Sequence, residues 1–150
     1  MRAKSGFTLV EILIVVVILG ILAAIVIPQF TDASTEAKTS SLCSDLQTVR
    51  SQIELYKIQH NDDLPGTYSG VTFEEAMTQK SVQSGALSAT GAFGPYLQKI
   101  PSNSFISGDD TNDVSVGNAT TGPVSGGDGW YFNTDTGAFN ANDSSDHWKL

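Results

Sequence analysis

Residues 7–27 read FTLVEILIVVVILGILAAIVI, and Glu11 is the one ionisable side chain in this apolar run. As an α-helix, its 21 residues rise about 31 Å, close to the thickness of a bilayer hydrocarbon core. A strand is excluded because strands rarely exceed about ten residues, and a segment in lipid must satisfy its backbone hydrogen bonds internally. The sequence therefore predicts an N-terminal transmembrane helix.

The charges on either side of the run predict its orientation. Arg2 and Lys4 precede it without an acidic residue, and Asp32 and Glu36 follow it. Because basic residues are retained on the cytoplasmic side, we expect a cytoplasmic N-terminus and an exported remainder.

Three interpretations of this segment compete. A secretory signal should end in a small-x-small cleavage site, but Ala23 and Ala24 lie inside the run and 25–28 read IVIP. A plain membrane anchor explains the length but not Glu11, since a carboxylate costs roughly 2.5–3.5 kcal/mol at the bilayer centre and less near its edge. The third interpretation gives both Glu11 and Gly6 a role.

Residues 4–11, KSGFTLVE, resemble the class III signal of type IV pilins and pseudopilins. In that family a dedicated peptidase cuts after the glycine on the cytoplasmic side and methylates the new N-terminal phenylalanine. The resemblance implies cleavage between Gly6 and Phe7, loss of a leader of residues 1–6, and N-methylation of Phe7.

The same resemblance implies a role in assembly for Glu11, the fifth residue after the cut. Cleavage creates an ammonium group at Phe7, and Glu11 of one subunit could pair with that ammonium of a neighbour in a packed fibre. The helix dipole also favours an anion at this end. Snorkelling of Glu11 to the lipid headgroups is the alternative. Gly20 and Pro28 fall where the family places helix-weakening residues, and Pro28 lacks the N–H that a helix interior needs.

Beyond Pro28, apolar residues recur at spacings of 4, 3, 4, 3 and 4, which indicates one helical stripe. The stripe consists of Leu42, Leu46, Val49, Ile53, Tyr56 and His60. We expect residues 28–60 to continue the helix and to pack this face on a head domain. A coiled-coil seam is the alternative, and His60 is predicted at the rim near helix carbonyls.

Residues 61–150 are predicted to form a globular head. The helix-breaking run NDDLPG at 61–66 ends the long helix, and the capping-box pattern at 72–75 starts a short helix from Phe73 to about Ser81. Residues 129–133 and 138–141 flank a turn and predict a hairpin. The fold class is α+β and pilin-like: a long N-terminal helix on a small head with a short helix and three or four antiparallel strands. The predicted core aromatics are Trp130, Phe132 and Phe139.

Composition excludes several functions. The 150 residues hold 16 acidic and 8 basic side chains, and a formal charge of −8 argues against nucleic acid as the main partner. Cys43 is the only cysteine, which excludes an internal disulfide. No nucleophile–base pair or phosphate-binding loop is present, so we expect no enzymatic activity.

Two further segments, 50–65 and 94–101, resemble stretches of the major pseudopilins of type II secretion systems. This implies a structural subunit that polymerises into a periplasmic helical fibre, acting as a piston or screw for export. The implied partners are further copies of itself, the prepilin peptidase, other pseudopilins, the inner-membrane assembly platform and membrane lipid. The alternative is a type IV pilin forming a surface pilus for adhesion, motility or DNA uptake.

Calcium is the one cofactor that the resemblance raises, because major pseudopilins have a calcium site in their C-terminal region. Acidic and amide side chains crowd residues 109–113, and further Asp residues follow. The loop does not match an EF-hand, which needs glycine at its sixth position. A solvated acidic surface is the alternative, and the sequence assigns no metal ligands.

Overall fold

The computed structural model describes residues 6–124 and 126–150. The chain divides into two compact units, the first ending at Thr39 and the second running Ser40–Leu150. The helices and strands, in order, are α1 (Leu9–Gln59), α2 (Phe73–Thr78), a 3-10 turn (Asp110–Asn112), β1 (Val114–Gly117), β2 (Trp130–Asn133), β3 (Phe139–Ala141) and a second 3-10 turn (His147–Lys149).

The first unit is the apolar and N-terminal part of α1. Every Val, Leu, Ile and Phe side chain from Phe7 to Ile27 is more than half exposed. By length and composition α1 is the one described helix that could cross a membrane. Such a surface is stable in lipid or against other apolar helices and unfavourable in water.

The second unit buries the predicted stripe of α1. Leu42, Leu46, Val49, Ile53 and Tyr56 are each at most 2% exposed, so the prediction that this face packs on the head is confirmed. Because the stripe contacts the core of its own chain, the coiled-coil alternative is wrong.

His60, at the end of the stripe, is fully buried rather than at the rim, so that part of the prediction is wrong. Its Nδ1 lies 2.9 Å from the Tyr56 carbonyl oxygen and its Nε2 lies 2.8 Å from Ser81 Oγ. The ring also stacks on Tyr56 with centroids 3.8 Å apart. Burial is tolerated because both ring nitrogens have hydrogen-bond partners.

The three strands form one sheet in the order β1-β2-β3. The predicted hairpin is present, with β2 and β3 antiparallel and Phe132 opposite Phe139. β1 pairs with β2 in parallel, with Val114 opposite Trp130, so the prediction of a wholly antiparallel sheet is wrong for this pair. The residues between Gly117 and Trp130 explain the difference, since a crossover of about a dozen residues suffices to return the chain to the same end of the sheet.

Aromatic side chains join α2 to the sheet. Phe73 packs against Phe132 with ring centroids 4.5 Å apart, and Trp130 stacks on Phe139 at 5.3 Å. All four are at most 3% exposed, which confirms the predicted aromatic core. α2 begins where the capping box predicts but ends at Thr78, three residues earlier than expected.

Candidate functional site

The N-terminus of α1 is capped by reciprocal hydrogen bonds between Thr8 and Glu11. The main-chain N–H and hydroxyl of Thr8 donate to Glu11 Oε2 at 2.8 and 2.7 Å, and the main-chain N–H of Glu11 donates to Thr8 Oγ1 at 3.3 Å. This is a capping box, and it satisfies first-turn N–H groups that have no partner within the helix. Glu11 therefore has a role within its own chain that our sequence analysis missed.

The predicted processing residues lie immediately before this capping box. Phe7 is 82% exposed, and, chain neighbours apart, no atom of a described residue lies within 4 Å of the position where a side chain on Gly6 would begin. The two hydrogen bonds to Glu11 are both accepted by one oxygen, Oε2. Because an ionised carboxylate offers about four acceptor positions, Glu11 has capacity for a further donor.

Gly20 and Pro28 lie further along the same helix and are not brought together with Glu11. Both fall inside α1. At about 1.5 Å per residue, they are roughly 14 and 26 Å along the axis from Glu11. Next to Pro28, the Thr31 hydroxyl donates to the Ile27 carbonyl at 3.1 Å. The predicted weakening of the helix at these two residues stays a prediction.

The acidic residues that the structure describes in the head are dispersed rather than gathered into one cluster. Among the described residues, no three His, Cys, Asp or Glu side chains are placed to hold a metal ion. Asp128 accepts a hydrogen bond from Ser115, and Asp143 accepts one from Asn103. The residues present therefore do not fit the calcium site that the family resemblance raised.

Arg50 is a second residue whose role our sequence analysis missed. Its guanidinium donates to the Phe139 carbonyl (2.9 Å), to Asn140 Oδ1 (3.1 Å) and to the main-chain oxygen of Leu150 (2.9 Å). Partial burial lowers the pKa of Arg50 from its ordinary value, but a guanidinium stays charged at neutral pH. Arg50 thus fastens α1 to β3 and to the C-terminal residues. In the sequence, the available indication of this role was that Arg50 directly follows Val49, a residue of the predicted buried stripe.

One open cleft of about 510 Å³ lies between α2 and β1. Phe73 and Val114 supply its apolar wall, and Glu74, Asp113 and Asp128 supply its carboxylates. No histidine, cysteine or lysine is among the described residues that line it, and these residues offer no nucleophile–base pair.

Comparison with known proteins agrees with the N-terminal motif. Residues 1–27 match the family described as "Prokaryotic N-terminal methylation motif". The chain is 38% identical over 100 residues to type II secretion system core protein G of Pseudomonas aeruginosa, covering 67% of each chain. It is 31% identical over 121 residues to core protein G of Vibrio cholerae, covering 81% of this chain and 77% of the relative. A fimbrial protein of Pseudomonas aeruginosa is 43% identical over 54 residues, covering 36% of this chain and 35% of the relative.

The methylation motif, the apolar helix behind it and the α+β head define a membrane-anchored, pilin-like structural protein. Within that class, the chain belongs to the family of type II secretion system core protein G, the pseudopilins. No solved structure matches the chain.

Proposed function

We propose that this chain is a structural subunit, not an enzyme, which polymerises into the periplasmic helical pseudopilus of a type II protein secretion system. The observation that carries the proposal is the placement of the methylation motif at the exposed start of an apolar helix. The similarity to core protein G in two organisms supports the assignment to secretion. Such a fibre would act as a piston or screw for export.

The first step of the proposal is processing by the prepilin peptidase. The enzyme cuts between Gly6 and Phe7, removes the leader 1–6 and methylates the amine of Phe7. The open space around Gly6 supports this, because the peptidase must approach the backbone closely and glycine has no side chain to obstruct it.

The second step is assembly through the helices. Residues 7–27 form the transmembrane and assembly segment, 28–60 the amphipathic continuation, and 61–150 the periplasmic head. After cleavage the Phe7 ammonium of one subunit pairs with Glu11 of a neighbour, and Gly20 and Pro28 allow the helix to loosen as it leaves the membrane. A head-to-tail contact of this kind does not close on itself and so generates a fibre.

The remaining partners follow from this location. The subunit is a single-pass inner-membrane protein with a cytoplasmic N-terminus and a periplasmic head. It contacts lipid before assembly, and its protein partners are other copies of itself, the peptidase, other pseudopilins and the inner-membrane assembly platform. The basic residues before the helix and the acidic residues after it support this orientation.

A surface type IV pilus for adhesion, motility or DNA uptake is the second candidate. The similarity to a fimbrial protein supports it, over about a third of the chain. The secretion assignment is favoured because the similarity to core protein G extends over two thirds of the chain or more.

A deletion strain tests the proposal. We expect loss of secreted enzymes from the medium, with secretion restored by the wild-type gene and not by a variant in which Gly6 is replaced by a bulky residue. Intact-mass analysis should find the wild-type chain beginning at methylated Phe7 and the Gly6 variant uncut. Normal secretion with loss of surface filaments would support the pilus instead. A mature chain starting after Ala24 would contradict both assignments.

A further inference from the structure

The loop that joins β1 to β2 is held to the sheet by Asn142, which is 5% exposed. Asn142 Oδ1 accepts from the main-chain N–H of Val124 at 2.7 Å, and its Nδ2 donates to the Val124 carbonyl at 3.1 Å. The same Nδ2 lies 3.3 Å from the Asp128 carbonyl. One side-chain amide therefore pairs with both polar backbone groups of Val124, as a neighbouring strand would.

A second set of contacts holds the other end of this loop. The Ala119 carbonyl accepts from Asn133 Nδ2 at 2.9 Å, and the Ala119 N–H donates to the Tyr131 hydroxyl at 2.6 Å. The ring of Trp148 packs on Tyr131 with centroids 5.1 Å apart. It also fills the space beside Gly122, where an added Cβ would lie 2.2 Å from the indole. The C-terminal residues thus cover the loop.

Two carboxylates beside the loop and the C-terminal turn, those of Asp128 and Asp143, are hydrogen-bonded to neighbouring side chains. The Ser115 hydroxyl donates to Asp128 Oδ2. Asp143 accepts from Asn103 Nδ2 at 2.9 Å through Oδ1, and its Oδ2 lies 2.5 Å from His147 Nδ1. A calcium ion needs six to eight oxygen ligands, whereas here Asp128 Oδ2 and both oxygens of Asp143 face hydrogen-bonding groups of Ser115, Asn103 and His147.

In the described part of the chain, every buried side-chain nitrogen and oxygen has a hydrogen-bond partner. If the fold contained a buried cation site, that site without its ion would leave several buried oxygens close together with no hydrogen-bond donor. Asn103 and Asn142 instead place amide N–H groups against backbone carbonyls, where a cation would be repelled.

We propose that the head closes its C-terminal region without a metal ion, and that side-chain contacts of residues 142–148 hold this region in place. The Asn142 amide fixes the loop, the contact between Asp143 and His147 fixes the C-terminal turn, and Trp148 packs on Tyr131 and against Gly122. The inference concerns the head alone, so it holds whichever fibre the subunit builds.

Thermal unfolding of the full chain in detergent micelles tests the proposal. Near-UV circular dichroism is recorded in EDTA and in about 10 mM calcium chloride, roughly ten times the weakest dissociation constants typical of extracellular calcium modules. We expect the same midpoint in both, and no heat of binding when calcium is titrated into the EDTA-treated, dialysed protein. A midpoint raised by several degrees, or saturable binding of one ion per chain, would overturn the proposal.

The variant Asn142→Ala tests the side-chain closure itself. We expect its midpoint to fall by about 5 °C or more in EDTA, because Val124 loses both partners, and calcium should not restore it. Asn118→Ala, at an exposed position of the same loop, is the matched control and should unfold with the wild type. Equal midpoints for the two variants would count against the closure. If Asn142→Ala does not fold, the calcium comparison on the wild type still decides the question.

Discussion

The Nε of Arg50 in α1 donates to the main-chain carbonyl of Phe139 in β3 at 2.9 Å. The two residues are 89 positions apart, and two further bonds from the same guanidinium reach Asn140 and Leu150. Because a charged, planar donor group meets three acceptors at once, this contact defines how β3 and the C-terminal residues lie against the helix.

We expect Arg50→Lys to destabilise the head, since a lysine ammonium cannot reproduce the planar fork and leaves half-buried acceptors without donors. Urea unfolding of the full chain in detergent should show a loss of about 2 kcal/mol. Lys99→Ala, which removes an exposed cation, serves as the control and should change stability little. A loss equal to that of the control would mean that water replaces the guanidinium at no cost.

Two isoleucines on α1 provide a matched pair for the stripe. Ile53 is 1% exposed and Ile58 is 80% exposed. Ile53→Ala should cost about 2–5 kcal/mol of unfolding free energy, because it removes buried methyl groups and leaves a cavity. Ile58→Ala should change it by less than about 0.5 kcal/mol. Similar losses for the two variants, measured by urea unfolding, would contradict the burial of this face.

The capping contact of Glu11 with Thr8 and its proposed pairing with the Phe7 ammonium of a neighbour are distinguished by Glu11→Gln and Thr8→Val. Glu11→Gln keeps an oxygen that can accept from Thr8 but removes the charge, so the capping box should persist while the ammonium of Phe7 loses its partner. We expect normal cleavage and insertion but little or no fibre in a shear-and-pellet assay. Thr8→Val keeps the charge and should still assemble.

Glu11→Ala removes both roles at once. Insertion should be as good as in the wild type or better, because alanine costs far less than a carboxylate in lipid, while assembly should fail. Comparison requires equal amounts of each variant in the membrane fraction. A wild-type yield of fibres from both Glu11 variants would show that the carboxylate only reaches the headgroups.

We expect the head to lose stability at acid pH as the carboxylate of Glu75 becomes protonated. Hydrogen bonds from the main chain and hydroxyl of Thr72 lower the pKa of Glu75 below its ordinary value of 4.5. A lowered pKa means that the unfolded chain binds the proton more readily, so this stabilisation is present above about pH 4.5 and is lost as the pH falls through the folded value.

Thr72→Val should move the pKa of Glu75 back toward 4.5 and flatten the acid side of the stability profile. NMR titration of the Glu75 carboxyl carbon, together with unfolding midpoints between about pH 3 and 6, measures both effects. Thr120→Val, at an exposed threonine of the β1–β2 loop, is the control. An unchanged Glu75 titration in Thr72→Val would show that the hydroxyl contributes nothing to the shift.

Patterns that depend on neighbouring residues were readable from the sequence. The buried stripe follows from the 3.6-residue period of a helix, and the hairpin follows from two short aromatic strands around a Gly-containing turn. The capping box at Thr8 and Glu11 was also readable, since it has the spacing of Thr72 and Glu75. Our sequence analysis considered Glu11 for contacts between subunits, for the helix dipole and for snorkelling, but not as a partner of Thr8.

Contacts between distant residues were not readable. β1 contains two valines within four residues, and its partner lies beyond a long polar loop, so neither its pairing nor its parallel direction leaves a local pattern. The same holds for the buried amides of Asn103 and Asn142, because asparagine is usually exposed and only the folded backbone shows which carbonyls it must reach.

The two tryptophans lie in different parts of the head, so their fluorescence can be used to follow two regions separately. Trp130 is fully buried in the aromatic core with its indole N–H on the Pro101 carbonyl, whereas Trp148 is half-buried on the C-terminal turn over Tyr131. Emission from Trp130 therefore reports on the core, and emission from Trp148 reports on the covering segment. Phenylalanine at either position leaves a single tryptophan, so detachment of the C-terminal segment can be measured separately from opening of the core.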